Sequence, residues 1–548
     1  MADRQRQETR FAESERRGDV EVLVVGAGFS GLYMLHLIRK LGLPVRLLEA
    51  GAGVGGTWYW NRYPGARCDV ESTDYQYGFD DDLVQEWTWT ERYGSQPEIL
   101  AYLNHVADRL GLREDIELET RVTRLLFDEP TSRWEVSTDR AETFSARFCV
   151  MATGCLSAAR LPEYPGLESF LGSWYHTARW PHEGVDFTEQ SVAVVGTGSS
   201  AIQVIPLVAE QAARLTVFQR TPNFSVPAHN RPRDPEDERR IKETFAEDRR
   251  NARQSSMGVF ASWVPNEKSA LEVDDAERER TFEAGWNRGG FGFLNTFSDL
   301  VTSREANELA TRFVHEKIRG IVHDAEVAEL LCPTNHPFGT KRLCVDTDYY
   351  ATYNRDNVTL VDLRRTPIEE VTPTGIRTEV GEIELDAIVF ATGFDAMTGA
   401  VLDIDIRGRS GLTLAEKWAA GPRTYLGIQT AGFPNLFLIT GPGSPSVLSN
   451  MIVSIEQHVE WVADCIGYLH ELDLAAIEAT IAAEDAWVEH SNERAARTLL
   501  PEADSWYTGA NIPGKPRVFM VYTGGVGAFR RRCTEIAERG YEGFALTT

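Results

Sequence analysis

The feature that most constrains this chain is a strand–glycine loop–helix pattern that occurs twice. An apolar run at residues 21–25 leads into Gly26, Gly28 and Gly31, and a stretch of helical composition follows. A second apolar run, at 191–195, precedes the glycine-rich residues Gly196, Thr197, Gly198, Ser199 and Ser200. This spacing is typical of Rossmann units, in which the N–H groups at a helix N-terminus hold the phosphates of a dinucleotide. The sequence therefore predicts an α/β protein with two Rossmann-like dinucleotide-binding domains.

The residue that ends the second strand of each unit distinguishes the two predicted nucleotide sites. Strand 45–49 ends in Glu49, whose carboxylate can accept hydrogen bonds from ribose hydroxyls. In the second unit Arg220 and Thr221 occupy the corresponding place. A guanidinium holds a 2′-phosphate that a carboxylate would repel, so the second site is predicted to bind NADPH rather than NADH. The alternative is an ordinary surface arginine at a strand end.

A further glycine motif is similar to the second glycine motif of FAD-dependent proteins with two dinucleotide domains, and this resemblance favours FAD at the first site. Gly56, Thr57 and Trp58 begin the pattern G-x-W-x-x-x-x-Y-P-G-x-x-x-D, which ends at Asp69. A glycine-rich loop with core aromatics would explain the tryptophan but not the aspartate. Two other apolar strands, within 148–154 and 387–393, each run into Ala-Thr-Gly. They resemble the strands that, in two-domain flavoproteins, mark crossings between the FAD domain and the NADP domain.

The crossings predict that both domains are discontinuous in sequence. The predicted boundaries are 18–155 and 390–548 for the FAD domain, 156–225 and 333–389 for the NADP domain, and 226–332 for a helical insertion of the NADP domain. The insertion is charge-rich and shows neither metal-ligand spacing nor a nucleophile motif. Loops of the substrate pocket are expected in the last part, where glycine and proline recur at 441–451 and 505–515.

The composition limits where in the cell this protein is expected and which partners it is expected to bind. A chain of 548 residues is too long for one core, and its net charge of −26 argues against nucleic acid and anionic membranes as partners. The first twenty residues lack the apolar run of a signal peptide, and no run approaches the ~20 residues that span a bilayer. Seven cysteines without a C-x-x-C pair argue against a disulfide framework, a dithiol centre and a metal site. We therefore expect a cytoplasmic protein.

The connector between the two glycine patterns has its own signature, F-x-G-x-x-x-H-x-x-x-W-P. It is formed by Phe170, Gly172, His176, Trp180 and Pro181. A hinge between two nucleotide-binding domains would have to lie here. We therefore assign His176 and Trp180 a structural or coupling role rather than a chemical one. A simple packed His and Trp between domains is an equally good reading.

Taken together, these motifs resemble the Baeyer–Villiger type of class B flavoprotein monooxygenases, from about residue 20 to the C-terminus. The segments 337–343 (PFGTKRL) and 441–446 (GPGSPS) strengthen the resemblance. It implies that NADPH reduces FAD, that reduced flavin and O2 give a C4a-peroxyflavin, and that this attacks a ketone. The Criegee intermediate then rearranges to an ester or lactone. Aryl-alkyl and cyclic ketones are the implied substrates, with O2 as co-substrate. The protein itself is expected to be a monomer or a weak homo-oligomer.

The resemblance also assigns residues. It implies that Arg342 is the catalytic arginine, Asp69 its carboxylate partner, Lys341 a second phosphate contact and Trp506 a residue that closes over the nicotinamide. It further implies a substrate pocket formed by Cys155, Leu156, Ser446, Val447, Leu448 and Met451. The arginine role agrees with elementary electrostatics, because a permanent cation stabilises the anions that oxygen transfer creates.

Two other classes of function are weighed against this one. A flavin monooxygenase that oxidises soft nitrogen or sulfur atoms needs no Arg342, and its connector usually lacks the Trp-Pro ending. Sulfoxidation is compatible with the same enzyme as a side activity. A disulfide reductase is excluded by the missing C-x-x-C pair. A flavin-binding sensor without enzymatic activity would need neither the arginine motif nor the aspartate motif.

Overall fold

The computed structural model describes residues 18–161, 163–260 and 266–548. The expectation about a signal peptide concerns residues that lie almost wholly outside these ranges. No helix within them combines the length and the apolar character that crossing a bilayer requires. No group of three or more His, Cys, Asp or Glu side chains in the same ranges is placed to hold a metal ion.

The β-strands of the described chain are numbered in sequence order. They are β1 (Asp19–Val25), β2 (Val45–Leu48), β3 (Ile116–Glu117), β4 (Val122–Asp128), β5 (Arg133–Thr138), β6 (Thr143–Met151), β7 (Ser173–His176), β8 (Ser191–Val195), β9 (Arg214–Gln219), β10 (Ser225–Pro227), β11 (Cys344–Asp346), β12 (Val358–Asp362), β13 (Ile368–Thr372), β14 (Gly375–Thr378), β15 (Gly381–Glu384), β16 (Ala387–Phe390), β17 (Asp405–Arg407), β18 (Leu436–Leu438), β19 (Ala476–Ala479) and β20 (Phe544–Thr547).

The α-helices of the described chain are numbered in the same way. They are α1 (Phe29–Lys40), α2 (Thr57–Trp60), α3 (Asp81–Glu86), α4 (Gln96–Arg109), α5 (Ser199–Gln211), α6 (Pro235–Gln254), α7 (Asp275–Arg288), α8 (Arg304–Ile321), α9 (Ala325–Leu331), α10 (Tyr349–Thr352), α11 (Gly399–Leu402), α12 (Leu414–Lys417), α13 (Met451–Glu471), α14 (Ile481–Ala495) and α15 (Val526–Glu538).

The first large sheet contains the first glycine pattern. Strands β6, β1, β2 and β3 lie parallel in that order, and the antiparallel pair β4–β5 extends the sheet beside β6. Strands β17 and β18, from far along the chain, join β4 and β6. Val22 and Val24 of β1 pack into one apolar cluster, while Leu23 and Val25 pack into another. Successive side chains point to opposite faces, so the strand is apolar throughout because both faces are covered.

The second large sheet contains the second glycine pattern. Its five strands, in the order β12, β9, β8, β16 and β7, are all parallel. Strand β8 repeats the two-sided burial of β1, with Val192 and Val194 in one cluster and Ala193 and Val195 in another. Strand β7 comes from the connector and β16 from the second Ala-Thr-Gly segment. The predicted α/β class with two Rossmann-like sheets is therefore confirmed.

The polar region after β10 forms helices α6 to α9. Helix α6 does not stay with the second sheet alone, because it packs against α15 near the C-terminus. Phe282, Phe293 and Phe313 form an aromatic core among these helices. The helical character of the region agrees with the prediction, and the domain boundaries themselves stay predictions.

Candidate active site

The two glycine loops begin helices α1 and α5, and neither helix has a side-chain cap. Gly28 and Gly198 are the N-cap residues. By contrast, Asp274 caps α7, Ser303 caps α8 and Thr480 caps α14, each with a side-chain oxygen. The N–H groups at the start of α1 and α5 are therefore available to phosphate oxygens.

Close backbone contact explains why glycine is needed in these loops. A side chain on Gly26, whose φ is +106°, would meet the carbonyl oxygen of Ala152 at 2.6 Å. Gly196 repeats the arrangement, with Ala391 O at 2.5 Å from the same position. Each Ala-Thr-Gly segment thus lies directly against a glycine loop. At Gly31 a Cβ would lie 1.8 Å from Gly26 O, so only glycine allows α1 to pack this closely on its strand.

Glu49 is buried at the end of β2, and both of its carboxylate oxygens bind the neighbouring backbone. Oε2 accepts the N–H of Ala27 at 2.7 Å, and Oε1 accepts the N–H of Gly51 at 2.7 Å. Burial raises the pKa of Glu49, and these N–H groups oppose the rise. A carboxylate offers about four acceptor positions, so roughly two remain for ribose hydroxyls.

The second glycine motif folds back on the first loop. The N–H of Gly55 donates to Ala27 O at 2.9 Å. A Cβ on Gly56 would lie 2.9 Å from Gly28 Cα, so the two glycines are in contact. Thr57 then begins α2, and the buried Trp58 donates its Nε1–H to Tyr75 Oη at 3.3 Å. The structure therefore brings Gly28, Gly56, Thr57 and Trp58 to one place.

Two cations lie together at the end of the second unit. Arg220 follows β9, and Lys341 lies in the segment before β11. Burial lowers the pKa of the Lys341 ammonium, and the positive charge of Arg220 lowers it further. Thr197 Oγ1 donates to Thr221 O at 2.7 Å and so ties the glycine loop to this corner. Neighbouring cations repel each other, and an anion between them would remove that cost.

The start of α5 also contacts the segments that carry Asp69 and Arg342. Tyr63 Oη donates to Gln203 Oε1 at 2.8 Å and is hydrogen-bonded to Ser200. Ser199 Oγ lies 3.3 Å from Cys344 Sγ. Tyr63 precedes Asp69 by six residues, and Cys344 follows Arg342 by two. These contacts place both motifs beside the second glycine loop.

Arg342 and Asp69, 273 positions apart, form a two-pronged ion pair. Arg342 Nε donates to Asp69 Oδ2 at 2.9 Å, and Nη2 donates to Oδ1 at 2.8 Å. Burial would lower the pKa of the guanidinium, but the Asp69 carboxylate raises it above its ordinary value. The group is therefore a permanent cation whose plane is fixed by two hydrogen bonds.

Three further residues contact the Arg342 guanidinium. The sequence motifs did not predict any of these three contacts. Nη1 donates to the carbonyl oxygen of Val447 at 2.6 Å. The guanidinium carbon lies 4.2 Å from the ring centroid of Phe291, in the helical insertion. Tyr507 is hydrogen-bonded to Arg342, and burial raises the pKa of this tyrosine to about 12. Tyr507 adjoins the predicted Trp506, but nothing in the sequence signals Phe291.

The predicted substrate-pocket residues gather around one apolar cluster beside the arginine. Cys155, Val447 and Tyr507 are buried in it, and the residues packed against it include Leu156, Leu448, Met451 and Trp506. Ser446 hydrogen-bonds to the thiol of Cys155 and, at 3.9 Å, to the sulfur of Met451. Burial raises the pKa of the Cys155 thiol, which stays protonated and acts as an apolar wall.

The loop that carries Trp506 is fastened to the second Ala-Thr-Gly segment. Asn511 Nδ2 donates to Phe394 O at 2.7 Å. Lys515 forms an ion pair with Asp395 and donates to Ala396 O at 2.9 Å. The loop therefore lies across the crossing between the two sheets.

The connector residues are packed at the same crossing. His176 Nδ1 accepts the N–H of Ala178 at 3.1 Å, so Nε2 carries the proton and donates to Arg160 O at 3.1 Å. Thr392 Oγ1 lies 3.1 Å from the same nitrogen. Burial lowers the pKa of His176 to about 4, which leaves the ring neutral at pH 7. Phe170 and Trp180 are buried nearby, Gly172 lies against Asp386 O, and Pro181 follows on the chain.

Comparison with known proteins finds similar sequences and similar folds. A family model described as pyridine nucleotide-disulphide oxidoreductase matches residues 23–261. A Baeyer–Villiger monooxygenase of Pseudooceanicola batsensis is 45% identical over 95% of this chain and 95% of its own. A phenazine N-monooxygenase of Lysobacter antibioticus is 43% identical over 96% of this chain and 97% of its own. A solved oxidised steroid monooxygenase bound to NADP is 54% identical over 96% of this chain and 99% of that chain, with a TM-score of 0.93.

This chain belongs to the Baeyer–Villiger monooxygenase family. The family predicted from the motifs is thereby confirmed. The disulphide chemistry in the name of the matched model does not extend to this Baeyer–Villiger monooxygenase, because all seven of its cysteines are free and buried. The roles of the individual site residues stay predictions, which the geometry above supports.

Proposed function

We propose that this Baeyer–Villiger monooxygenase binds FAD at the first glycine unit and NADPH at the second, and uses O2 to convert ketones into esters or lactones. The single observation that carries the proposal is the position of Arg342. It is a permanent cation, paired with Asp69, that lies beside the apolar cluster and near the start of α5. Neither nucleotide binding nor hydride transfer requires a cation there.

The residues of the first unit fit FAD. The uncapped N-terminus of α1 suits its pyrophosphate, and the spare acceptor positions of Glu49 suit its ribose. When it is bound and reduced by NADPH, FAD supplies activated oxygen to the ketone. The protein then has to stabilise the negative charge that develops on oxygen as the carbonyl is attacked. Arg342 provides the positive charge that stabilises it, in a site of low polarity where electrostatic interactions are strong.

The residues around Arg342 hold its guanidinium in a fixed orientation. Asp69 fixes the guanidinium plane with two hydrogen bonds, and Val447 O takes a third N–H. A site that is arranged before the reaction needs little reorganisation in the transition state. Asp69 therefore positions the cation, and the loop around Val447 contributes as well.

The coenzyme preference follows from Arg220 and Lys341. Their charges lie close enough for Arg220 to lower the pKa of Lys341. A 2′-phosphate between them would satisfy both, whereas NADH offers no charge at that place. The uncapped N-terminus of α5 suits the pyrophosphate of the same coenzyme.

The apolar cluster favours aryl-alkyl and cyclic ketones as substrates. Cys155, Leu156 and Val447 offer an apolar wall, and Arg342 is the charged group at its edge. Aromatic sulfides are expected as secondary substrates. The cytoplasmic location, the monomeric or weakly associating state and the lack of nucleic-acid and membrane partners stay predictions.

Product analysis with isotopically labelled O2 tests the function. The purified enzyme, supplied with FAD and NADPH, is given a panel of aryl-alkyl, cyclic and steroid ketones. We expect esters or lactones that contain one labelled oxygen atom. If none of these ketones gave an ester while NADPH was consumed in their presence, the proposed function would be wrong.

Oxidation of soft nitrogen or sulfur atoms is the second candidate, because a phenazine N-monooxygenase is among the similar proteins. The same panel therefore includes an aromatic sulfide and an aromatic N-heterocycle. Heteroatom oxides without any ester would favour this candidate. Esters as the main product would leave heteroatom oxidation as a side activity.

A further inference from the structure

Asn450 joins the two chain segments that hold Arg342. Its Nδ2 donates to the carbonyl oxygen of Asp74 at 2.8 Å, and its Oδ1 accepts the N–H of Ile452 at 3.0 Å. Only 1% of Asn450 is exposed. Asp74 follows Asp69 by five residues, and Asn450 follows Val447 by three. Both guanidinium partners therefore lie on short segments that meet at this one amide.

These contacts close a ring through the active site. Arg342 donates hydrogen bonds to Asp69 and to Val447 O. The chain runs from Asp69 to Asp74 and from Val447 to Asn450. The hydrogen bond from Asn450 Nδ2 to Asp74 O joins these two segments. Directly before this ring, Ser446 adopts a φ of +38°, and Ser449 Oγ donates to Ser446 O at 3.0 Å. The turn that presents Val447 O is thus held in an unfavourable backbone conformation by its surroundings.

The helical insertion is fixed to the same residue. The backbone N–H of Asn450 donates to Met257 O at 2.8 Å. A Cβ on Gly258 would lie 3.4 Å from Asn450 Cβ, so the segment after α6 packs directly over the asparagine. Asn450 therefore links the segment that follows Asp69, the pocket loop and the insertion.

We propose that Asn450 is a positioning residue for Arg342: through Asp74 and the 446–450 turn it sets the relative places of Asp69 and Val447 O. The proposal rests on the function proposed above. A role as helix cap alone would not need the amide donor, because aspartate caps a helix as well as asparagine does. Helix capping therefore does not explain why residue 450 carries an amide group that donates to Asp74 O.

The test uses Asn450→Asp, which keeps the cap and replaces the donor with an oxygen. The matched control is Asn435→Asp, because Asn435 is also buried, accepts the N–H of Ile477 at 2.9 Å and donates to Ala475 O at 3.1 Å. Both variants should lose stability. Only Asn450→Asp should lower the fraction of consumed NADPH recovered as ester, by about three- to tenfold, with hydrogen peroxide replacing it. The anaerobic rate of flavin reduction by NADPH should stay unchanged in both.

A second readout needs neither cofactor nor turnover. Amide hydrogen exchange in the cofactor-free proteins should accelerate at 70–74 and 446–450 in Asn450→Asp and not in Asn435→Asp. If Asn450→Asp failed to fold, Asn450→Ser would replace it, since serine also caps a helix and cannot reach Asp74 O. Equal losses of ester in the two aspartate variants, or faster exchange with an unchanged ester fraction, would overturn the proposal. A wild-type enzyme that made no ester would contradict the proposed function alone, because the exchange readout would still decide the role of Asn450.

Discussion

The two dinucleotide units share a backbone plan and differ where they face their ligands. In the first unit, a Cβ on Gly28 would be 3.5 Å from Gly56 Cα, so the chain itself covers the loop. In the second unit, a Cβ on Gly198 would have no heavy atom of the described chain within 4 Å beyond its immediate neighbours. The strand ends differ as well: Glu49 is buried and accepts hydrogen bonds from backbone N–H groups, whereas Arg220 is exposed beside Lys341.

The difference teaches how one motif serves two purposes. A loop that is covered by its own chain suits a cofactor that stays bound through many turnovers. An open loop with cations at its rim suits a charged coenzyme that has to enter and leave. The packing of the two helices differs as well. Gly31 in α1 leaves no space for a side chain, whereas the matching position in α5 is Ala201.

The largest expected effect is the loss of ester formation in Arg342→Ala, which tests whether the two units have different chemical roles. If the second unit only delivers reducing equivalents, Arg342→Ala should still consume NADPH but release hydrogen peroxide in place of ester. Loss of one such stabilising charge costs about 2.7–4 kcal/mol, so ester formation should fall roughly a hundred- to a thousandfold. Ester yield and peroxide are measured together. Asp69→Ala should be milder, because the arginine keeps its charge. Near wild-type ester formation by Arg342→Ala would refute the proposed mechanism.

The packing contrast predicts unequal effects of exchanging the third residue of each pattern. Gly31→Ala places a methyl group against Gly26 O, a backbone contact that cannot relax, and should cost about 3 kcal/mol or more. Its FAD content and melting temperature should both drop. Ala201→Gly in α5 should cost only about 1 kcal/mol, the usual penalty for glycine within a helix. Similar losses in both variants would show that the two units are packed alike.

The charge contrast predicts the coenzyme preference. Arg220→Ala removes a charged phosphate contact worth about 1.5–3 kcal/mol, so the KM for NADPH should rise roughly tenfold or more. The KM for NADH should barely change, since NADH has no 2′-phosphate to lose. Steady-state kinetics with both coenzymes measure this. A wild-type enzyme with equal kcat/KM for NADPH and NADH would contradict the assignment of the second site.

The smallest expected effect concerns the joint between the units. The pKa of His176 is lowered by burial to about 4, below the ordinary 6.5, so the unfolded chain binds the proton more readily. Stability should therefore fall as the pH drops from about 6.5 towards 4. Between about pH 7 and 5.5, the wild type should lose about 1 kcal/mol more than His176→Gln, which keeps an N–H donor and does not titrate. Parallel pH profiles of the unfolding free energy would mean that the pKa of His176 is the same in the folded and unfolded states.

Local patterns predicted the parts of the fold that depend on neighbouring residues. The glycine spacing, the apolar strands before it and Glu49 all lie within single β–α–β units, so sequence order is close to spatial order there. Arg342 and Asp69 were paired through the family resemblance, because their 273-residue separation carries no local signal. Tyr507, Phe291 and Asn450 could not be identified in this way, since their relevance lies only in what they contact.

The sequence by itself determined the α/β class, the two dinucleotide units and their order, because short-range periodicity and backbone sterics fix these features. Tertiary structure alone decided which distant segments meet. The Phe291 ring comes from the helical insertion, and the Val447 carbonyl and the Asn450 amide come from one turn in the C-terminal part of the chain; both segments converge on Arg342 and its partners. Their convergence arises from how the helices and sheets pack, and a contact between remote segments depends on the whole fold rather than on either segment's own residues.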